Sequence, residues 1–186
     1  TPPLLDHVVK KFDHVVFLHQ QQSVKVMSNE MEELQKIAHK WTVIFLEKNL
    51  PELHGKNWWE KRVINRLSDL QEKWVKLYKW SKLEDLDLGT VLYIFDFNNN
   101  WYDLKDHLNI PPERRNLLKQ LREIRNRLAH QGFNGIPLND QIRFADTISI
   151  YLEFIGADPS VVQTVEEKRQ ILMTRLVKGM DADEEQ

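Results

Sequence analysis

Apolar residues recur every three or four positions along most of this sequence, and this spacing constrains the fold more than any other feature. It is the repeat of an amphipathic α-helix, whereas the strict alternation that is typical of a β-strand is rare. Glycine, which disfavours helix interiors, occurs only 6 times in 186 residues. The sequence therefore predicts an all-α protein that folds as a helical bundle.

The apolar stripes divide into segments that each predict one helix. They are Met31, Leu34, Ala38, Trp41 and Phe45; Trp59, Val63, Leu67, Leu70, Trp74 and Leu77; Leu88, Val91 and Phe95; Leu117, Leu121, Ile124 and Leu128; Ile142, Ala145, Ile148, Leu152 and Ile155; and Val162, Val165, Leu172 and Leu176. A short helix is also expected from Trp101 to Leu108.

Capping and breaking residues predict where these helices begin and end. The expected starts are Asn29 with Glu32, Ser81 with Glu84, Pro111-Pro112, Asn139 and Asp158-Pro159, and the expected ends are Pro51 with Gly55, a turn at Asn98-Asn99-Asn100, Gly132 and Gly156. From these signals we expect an N-terminal helical extension over residues 1–29, a bundle over 30–178 and a disordered acidic tail over 179–186.

The composition narrows the range of functions. Cysteine is absent, which excludes disulfides, thiolate metal sites and a thiol nucleophile. No Gly-rich phosphate loop and no metal-ligand spacing of histidines occurs, so we expect no cofactor and no metal. No apolar run is long enough to span a membrane. The expected location is intracellular: cytoplasmic in a prokaryote, and cytoplasmic or nuclear in a eukaryote.

Positive charge is concentrated in two segments, although the net charge of the chain is only −2. Residues 56–82 contain eight cations against three anions, and residues 111–131 contain six against two. A basic surface on a nearly neutral protein can still attract a polyanion.

The helix after Pro112 carries the residues with the clearest chemical potential. At about 100° per residue, Asn126 and His130 lie one turn apart and point away from the apolar stripe, while Arg125 lies at its border. His130 falls in the last turn, where the helix dipole stabilises positive charge. Arg125 offers planar donors that suit a phosphate group.

This pattern of Arg-Asn-x-x-x-His near a helix end, after a leucine stripe, resembles the signature of the HEPN superfamily. Further matching stretches resemble the branch found in a yeast transcript-surveillance endonuclease and appended to bacterial ATPases and helicases. They are Gly55-x-x-Trp58-Trp59, the Trp101 segment, Leu121 to Gln131 and Asp140-x-x-Arg143-x-x-Asp146-Thr147. The similarity covers roughly residues 30–177.

The resemblance implies a homodimer that places two Arg–His sets in one cleft and cleaves RNA without a metal. In that scheme His130 is the general acid–base, Arg125 stabilises charge on the phosphorane and Asn126 orients the phosphate or His130. The neighbouring cations are expected to contact RNA, namely Arg115, Lys119, Arg122 and Arg127.

Several residues allow two interpretations. Asp140, Arg143 and Asp146 could orient Arg125 or His130, or could form an ion-pair ladder along their own helix. Of the tryptophans and tyrosines in the first basic segment, most are expected in the core, while Trp58, Tyr78 and Trp80 are candidates for an exposed patch that stacks RNA bases.

The predicted function is therefore an endoribonuclease module that serves defence or RNA surveillance. The alternatives are a non-catalytic RNA-binding or dimerisation module of a larger ATPase, helicase or nuclease, and one half of a toxin–antitoxin pair.

Overall fold

The computed structural model of this chain describes residues 30–131 and 136–184. Within these ranges the fold is all-α, as the sequence predicts, and contains no β-strand. The α-helices are α1 (residues 30–54), α2 (Asp69–Tyr78), α3 (Leu88–Asp96), α4 (Asn98–Leu108), α5 (Arg115–Gln131), α6 (Leu138–Phe154) and α7 (Pro159–Glu184). No helix in the described ranges is long and apolar enough to cross a membrane.

Two sequence-based expectations lie outside the described residues. They are the N-terminal extension over 1–29, including the Asn29 cap, and the stop at Gly132.

Helix α3 lies at the centre of the core. Its Phe95 ring is fully buried and packs against Phe45 of α1, Trp101 of α4 and Phe154 of α6, at centroid distances of 5.0, 6.0 and 6.3 Å. One aromatic side chain thus joins four helices, and the burial of such a ring contributes about 2–3 kcal/mol.

Helix α5 packs between α3 and α6. Of its predicted stripe, Leu121 and Leu128 are buried and Leu117 and Ile124 are partly buried, while Leu118, which the stripe did not include, is fully buried. The apolar face therefore fixes the rotation of α5, and its opposite face is turned to solvent.

The predicted helix over Trp59 to Leu77 is wrong. Residues Trp59–Val63 form a π-helical turn, Ile64–Arg66 a 3₁₀ turn, and α2 begins only after Ser68. The Ser68 hydroxyl accepts from the Gln71 N–H while the Gln71 side chain accepts from the Ser68 N–H, a capping box that starts a new helix with a new rotation.

This break moves the second half of the stripe to the surface. In α2 Val75 is buried, whereas Leu70 and Leu77 are 55% and 69% exposed. Trp74, expected in the core, is 42% exposed, and Tyr78 is exposed as expected. Trp58, Trp59 and Trp80 pack partly buried against the core.

The predicted turn at Asn98–Asn100 is also wrong, because these residues form the first turn of α4. Asn100 is fully buried, and its amide nitrogen donates to the carbonyls of Arg62 and Ile94 at 3.0 and 2.7 Å. Asn100, which predicts a turn in the sequence, therefore connects α4 to α3 and to the π-helical turn.

Some helix ends differ from the predicted ones. Helix α1 continues through Pro51 and ends at residue 54, directly before Gly55 with φ +65°, so the stop predicted at Gly55 is confirmed and the one at Pro51 is wrong. Asp87, rather than Ser81 with Glu84, caps α3, and α6 begins after Pro137 with Asn139 already inside it. Helix α7 continues to Glu184, whereas the sequence predicts disorder after residue 178.

Replacing Asn100 with Ala is expected to destabilise the fold by about 1–3 kcal/mol, because it removes two hydrogen bonds made by a fully buried side chain. Urea denaturation measures the loss. The neighbouring Asn99→Ala, at an exposed position, is the control and should change stability by no more than about 0.5 kcal/mol. Equal stability of the two variants would contradict this role for Asn100.

Candidate functional site

The solvent side of α5 presents the polar motif in the orientation that its spacing predicts. Asn126 and His130 are exposed one turn apart, and Arg125 is half-buried at the border of the apolar face. The buried Leu121 and Leu128 on the other side hold this orientation.

Arg125 is held by a carboxylate that sequence reasoning did not identify. Its Nη2 donates to Asp87 Oδ1 at 2.7 Å, and its Nη1 donates to Asn126 Oδ1 at 3.3 Å. Asp87 is the N-cap of α3, where it also accepts from the Gly89 N–H at 2.8 Å and from the Thr90 N–H at 3.3 Å. The guanidinium is therefore fixed relative to both α3 and α5.

The charged state of Asp87 is favoured by its surroundings. Partial burial acts to raise the pKa of this carboxyl, but the Thr90 hydroxyl, the Arg125 charge and the backbone N–H groups of Thr90 and Gly89 together hold the pKa below its ordinary value. Asp87 thus remains an anion beside Arg125 at neutral pH.

Gly89 provides the space for the Arg125 guanidinium. A Cβ atom at this position would lie 2.9 Å from Arg125 Nε and 3.0 Å from Arg125 Cζ. A side chain at residue 89 would therefore displace the guanidinium from its present position.

A chain of hydrogen bonds extends from Asp87 to the start of α2. The Thr90 hydroxyl donates to Asp87 Oδ2 at 2.7 Å and accepts from Gln71 Nε2 at 3.0 Å, and Gln71 is the capping-box partner of Ser68. The N-terminus of α2, the N-terminus of α3 and Arg125 are therefore connected by one polar network.

Two adjoining depressions lie on either side of the α5 motif. The first, of about 510 Å³, lies between α2, α3 and α5 and is lined by Arg66, Leu67, Ser68, Gln71, Asp87, Gly89, Thr90, Tyr93, Arg122, Arg125 and Asn126. The second, of about 480 Å³, is lined by Lys119, Arg122, Glu123, Asn126, Arg127 and His130. Arg122 and Asn126 line both, so the two depressions adjoin at these side chains, with Arg125 in the first and His130 in the second. Arginines and lysines outnumber carboxylates in each lining, and the two depressions together make up the cationic groove.

The family of this chain is shown by comparison with known protein families. Residues 36–156, about two thirds of the chain, match the family described as Swt1-like HEPN. The chain belongs to this family. No curated protein and no solved structure matches it. The prediction of a HEPN superfamily domain is thus confirmed, while the assignment to a particular branch stays a prediction.

The four cations expected to bind RNA do not lie together in this HEPN domain. Lys119, Arg122 and Arg127 line the second depression. Arg115 lines neither depression, since it donates to Asp96 Oδ1 and Asn98 Oδ1 at 2.6 and 2.7 Å and so joins α5 to the α3–α4 junction. Its position favours a structural role.

Asp140, Arg143 and Asp146 form ion pairs with residues other than Arg125 and His130. Asp140 instead accepts from Arg127 at 2.6 Å and lies 4.0 Å from Arg143, and Asp146 pairs with Arg169 of α7. The interpretation of these residues as orienting the motif stays a prediction, and these ion pairs do not support it. Only the Asp140–Arg143 pair follows the expected ladder, because the other charges find partners on neighbouring helices.

Sequence reasoning also missed Gly89, Arg66 and Tyr93, which lie 20 or more positions from the α5 motif. The sequence did contain one usable signal. Asp87, two residues before Gly89 and three before Thr90, has the spacing of a helix N-cap, but nothing local indicates that its free lone pairs face Arg125.

Replacing Asp87 with Asn tests the ion pair with Arg125. It also predicts in which direction the stability difference between wild type and variant changes with pH. Asn retains the cap but removes the charge, so at neutral pH the variant should be less stable by about 0.5–1 kcal/mol. Folding lowers the pKa of Asp87. Its charge therefore contributes to the free energy of unfolding above the pKa of the unfolded chain, about 3.9, and this contribution is lost as the pH falls through the pKa of the folded protein.

The difference in unfolding free energy between wild type and Asp87→Asn should therefore shrink on acidification below about pH 4. Denaturant titrations across that range measure it. Glu84→Gln, at an exposed position in the preceding 3₁₀ turn, is the charge-matched control. A difference that stays constant with pH would exclude an ionic contribution from Asp87.

Proposed function

We propose that this domain is a metal-independent endoribonuclease that cleaves RNA by attack of the substrate 2′-hydroxyl on the adjacent phosphate. The observation that carries the proposal is the placement of Arg125, Asn126 and His130 along one cationic groove on the exposed face of α5. Membership of the Swt1-like HEPN family supports RNA as the ligand.

Each of the three residues has the chemistry that one part of the reaction needs. His130 accepts the proton of the 2′-hydroxyl or donates one to the leaving oxygen. Arg125, already fixed by Asp87, presents its guanidinium to the negative charge that develops on the phosphorane. Asn126 lines both depressions and orients the phosphate between the other two residues.

The reaction balances without any further reactant. The 2′-oxygen forms a bond to phosphorus, and the bond from phosphorus to the 5′-oxygen of the next nucleotide breaks. The 2′-hydroxyl proton passes to a base, and a proton passes to the departing 5′-oxygen. The products are a 2′,3′-cyclic phosphate and a 5′-hydroxyl. Since the nucleophile belongs to the substrate, the protein needs only to move protons and stabilise charge.

We further propose that two chains form a two-fold dimer around α5. In one chain the groove is open and His130 is exposed, whereas proton transfer and charge stabilisation are more effective in a site sheltered from water. A second copy of the same face would cover the groove and bring two sets of Arg125 and His130 into one cleft.

A second candidate function is a non-catalytic RNA-binding or dimerisation module within a larger ATPase, helicase, nuclease or toxin–antitoxin system. The ion pair with Asp87 favours it, because the carboxylate partly neutralises the one cation of the motif. A groove of this charge binds RNA whether or not it stabilises the transition state.

Cleavage assays with His130→Ala and Arg125→Ala separate these two functions. The wild type should cleave RNA in excess EDTA, leave a 2′,3′-cyclic phosphate and spare both DNA and 2′-O-methylated RNA. Each substitution should lower kcat by about 10²–10³, through loss of proton transfer or of charge stabilisation.

Matched controls are available for both variants. His107→Ala removes an imidazole from α4, and Arg114→Ala removes an exposed guanidinium from the turn before α5, and both should cleave at the wild-type rate. Wild-type activity in His130→Ala would contradict the proposed active site. RNA binding by the wild type without cleavage, lost in Arg125→Ala, would establish the non-catalytic function.

Light scattering coupled to size exclusion tests the dimer. At tens of micromolar the wild type should have twice the 22.2 kDa mass of the chain. Asn126→Arg places two additional cations across the two-fold axis and should shift the population to monomer, whereas Asn99→Arg, exposed on α4, should not. A monomeric wild type would contradict the dimer, and an Asn126→Arg dimer would place its interface elsewhere.

A further inference from the structure

An aromatic pair on the outer side of α3 supports two arginines beside the motif. The rings of Tyr93 and Phe97 lie edge to face with centroids 6.0 Å apart. The Arg122 guanidinium lies 5.3 Å from the Tyr93 centroid, and the Arg66 guanidinium lies 4.5 Å from the Phe97 centroid. Both cations are therefore fixed by contact with a ring face.

Arg66 differs from the other arginines of this depression in its electrostatic partners. Arg125 pairs with Asp87 at 2.7 Å and Arg122 pairs with Asp96 at 3.2 Å, whereas Arg66 makes no ion pair within the described part of the chain. Its Nε is buried and has no hydrogen-bond partner there. The guanidinium of Arg66 is therefore desolvated at Nε and keeps a positive charge that no carboxylate of the described residues neutralises.

The remaining lining of the depression is polar and suits a phosphate group. The three arginines outnumber Asp87, the one carboxylate in the lining, so the depression has a net positive charge. The volume of about 510 Å³ is sufficient for a nucleotide-sized group.

We propose that this depression binds a second phosphodiester of the RNA strand, next to the one that is cleaved, with Arg66 as its main ligand. The inference rests on the proposed function, because it identifies the ligand as the same RNA strand. The two depressions adjoin at Arg122 and Asn126, so a strand whose scissile phosphate lies between Arg125 and His130 can continue over Arg66.

Arg66 thus acts in binding and not in the chemical step. Arg66→Gln should raise the KM for an RNA oligonucleotide at least about 10-fold and change kcat less than 2-fold, since charge-assisted hydrogen bonds of this kind contribute roughly 1.5–3 kcal/mol. The slope of log affinity against log salt concentration should decrease by about 0.7, the value expected for one phosphate contact with a single strand. Lys73→Gln is the matched control, because Lys73 is an exposed cation of the same basic segment outside the depression.

A chemical change in the RNA tests the same contact without altering the protein. In an oligonucleotide with one cleavable 2′-hydroxyl, each phosphate beside the scissile one is replaced in turn by an uncharged methylphosphonate. One replacement should raise the wild-type KM by about the same factor as Arg66→Gln, and it should have no further effect in that variant. This non-additivity identifies the phosphate that Arg66 contacts.

The outcomes separate this subsite from the proposed activity. If the wild type cleaves RNA while Arg66→Gln and every methylphosphonate leave KM unchanged, the proposed subsite is wrong. The proposed nuclease activity is then still supported. A loss confined to kcat in folded Arg66→Gln would also overturn the subsite. If the wild type binds RNA without cleaving it, dissociation constants replace KM. A selective loss of affinity in Arg66→Gln then supports the subsite although the proposed catalysis has failed.

Discussion

The ion pair between Asp87 and Arg125 connects the N-cap of α3 to the motif on α5. One carboxylate caps α3 through the N–H groups of Gly89 and Thr90, accepts the Thr90 hydroxyl and binds the guanidinium of α5. Oδ1 accepts from Arg125 and from the two N–H groups, and Oδ2 accepts from the Thr90 hydroxyl. Because the cap and the ion pair share one side chain, the position of Arg125 is tied to the start of α3.

The apolar centre makes this arrangement rigid. Phe95 joins α3 to three other helices, and Leu121 and Leu128 fix the rotation of α5 against them. The polar groups of the groove therefore lie on elements that cannot turn without breaking the core. Pre-organised donors of this kind bind phosphate with little loss of side-chain entropy, which suits either catalysis or tight RNA binding.

The sequence pattern predicted the helices best where a single stripe runs through one helix. In α1, α5 and α6 the predicted apolar residues lie at or against the core. The pattern failed between Trp59 and Leu77, where a π turn, a 3₁₀ turn and the Ser68 cap interrupt a spacing that looks continuous. The spacing of apolar residues predicts one buried face only if the helix is continuous. A break that starts a new helix with a different rotation cannot be recognised from the spacing.

Polar residues were harder to interpret than apolar ones. Asn100 resembles a turn residue in sequence but is a fully buried link between Arg62 and Ile94. Asp140 and Asp146 appear to be spaced for the motif, yet Arg127 and Arg169 bind them. The partner of a charged side chain depends on which helices lie beside it, and local spacing contains no information on that.

By itself the sequence determined the all-α class, the apolar face of α5 and the exposure of Asn126 and His130 on its opposite side. These follow from the helical repeat, which places residues on faces before any tertiary contact forms. Only the tertiary structure decided that Asp87 binds Arg125, that Gly89 makes room for it and that Arg66 joins the groove. Those residues lie 36 to 59 positions before Arg125 in the sequence. Asp87 and Gly89 meet Arg125 because α3 packs against α5, and Arg66 lines the same depression from the 3₁₀ turn before α2.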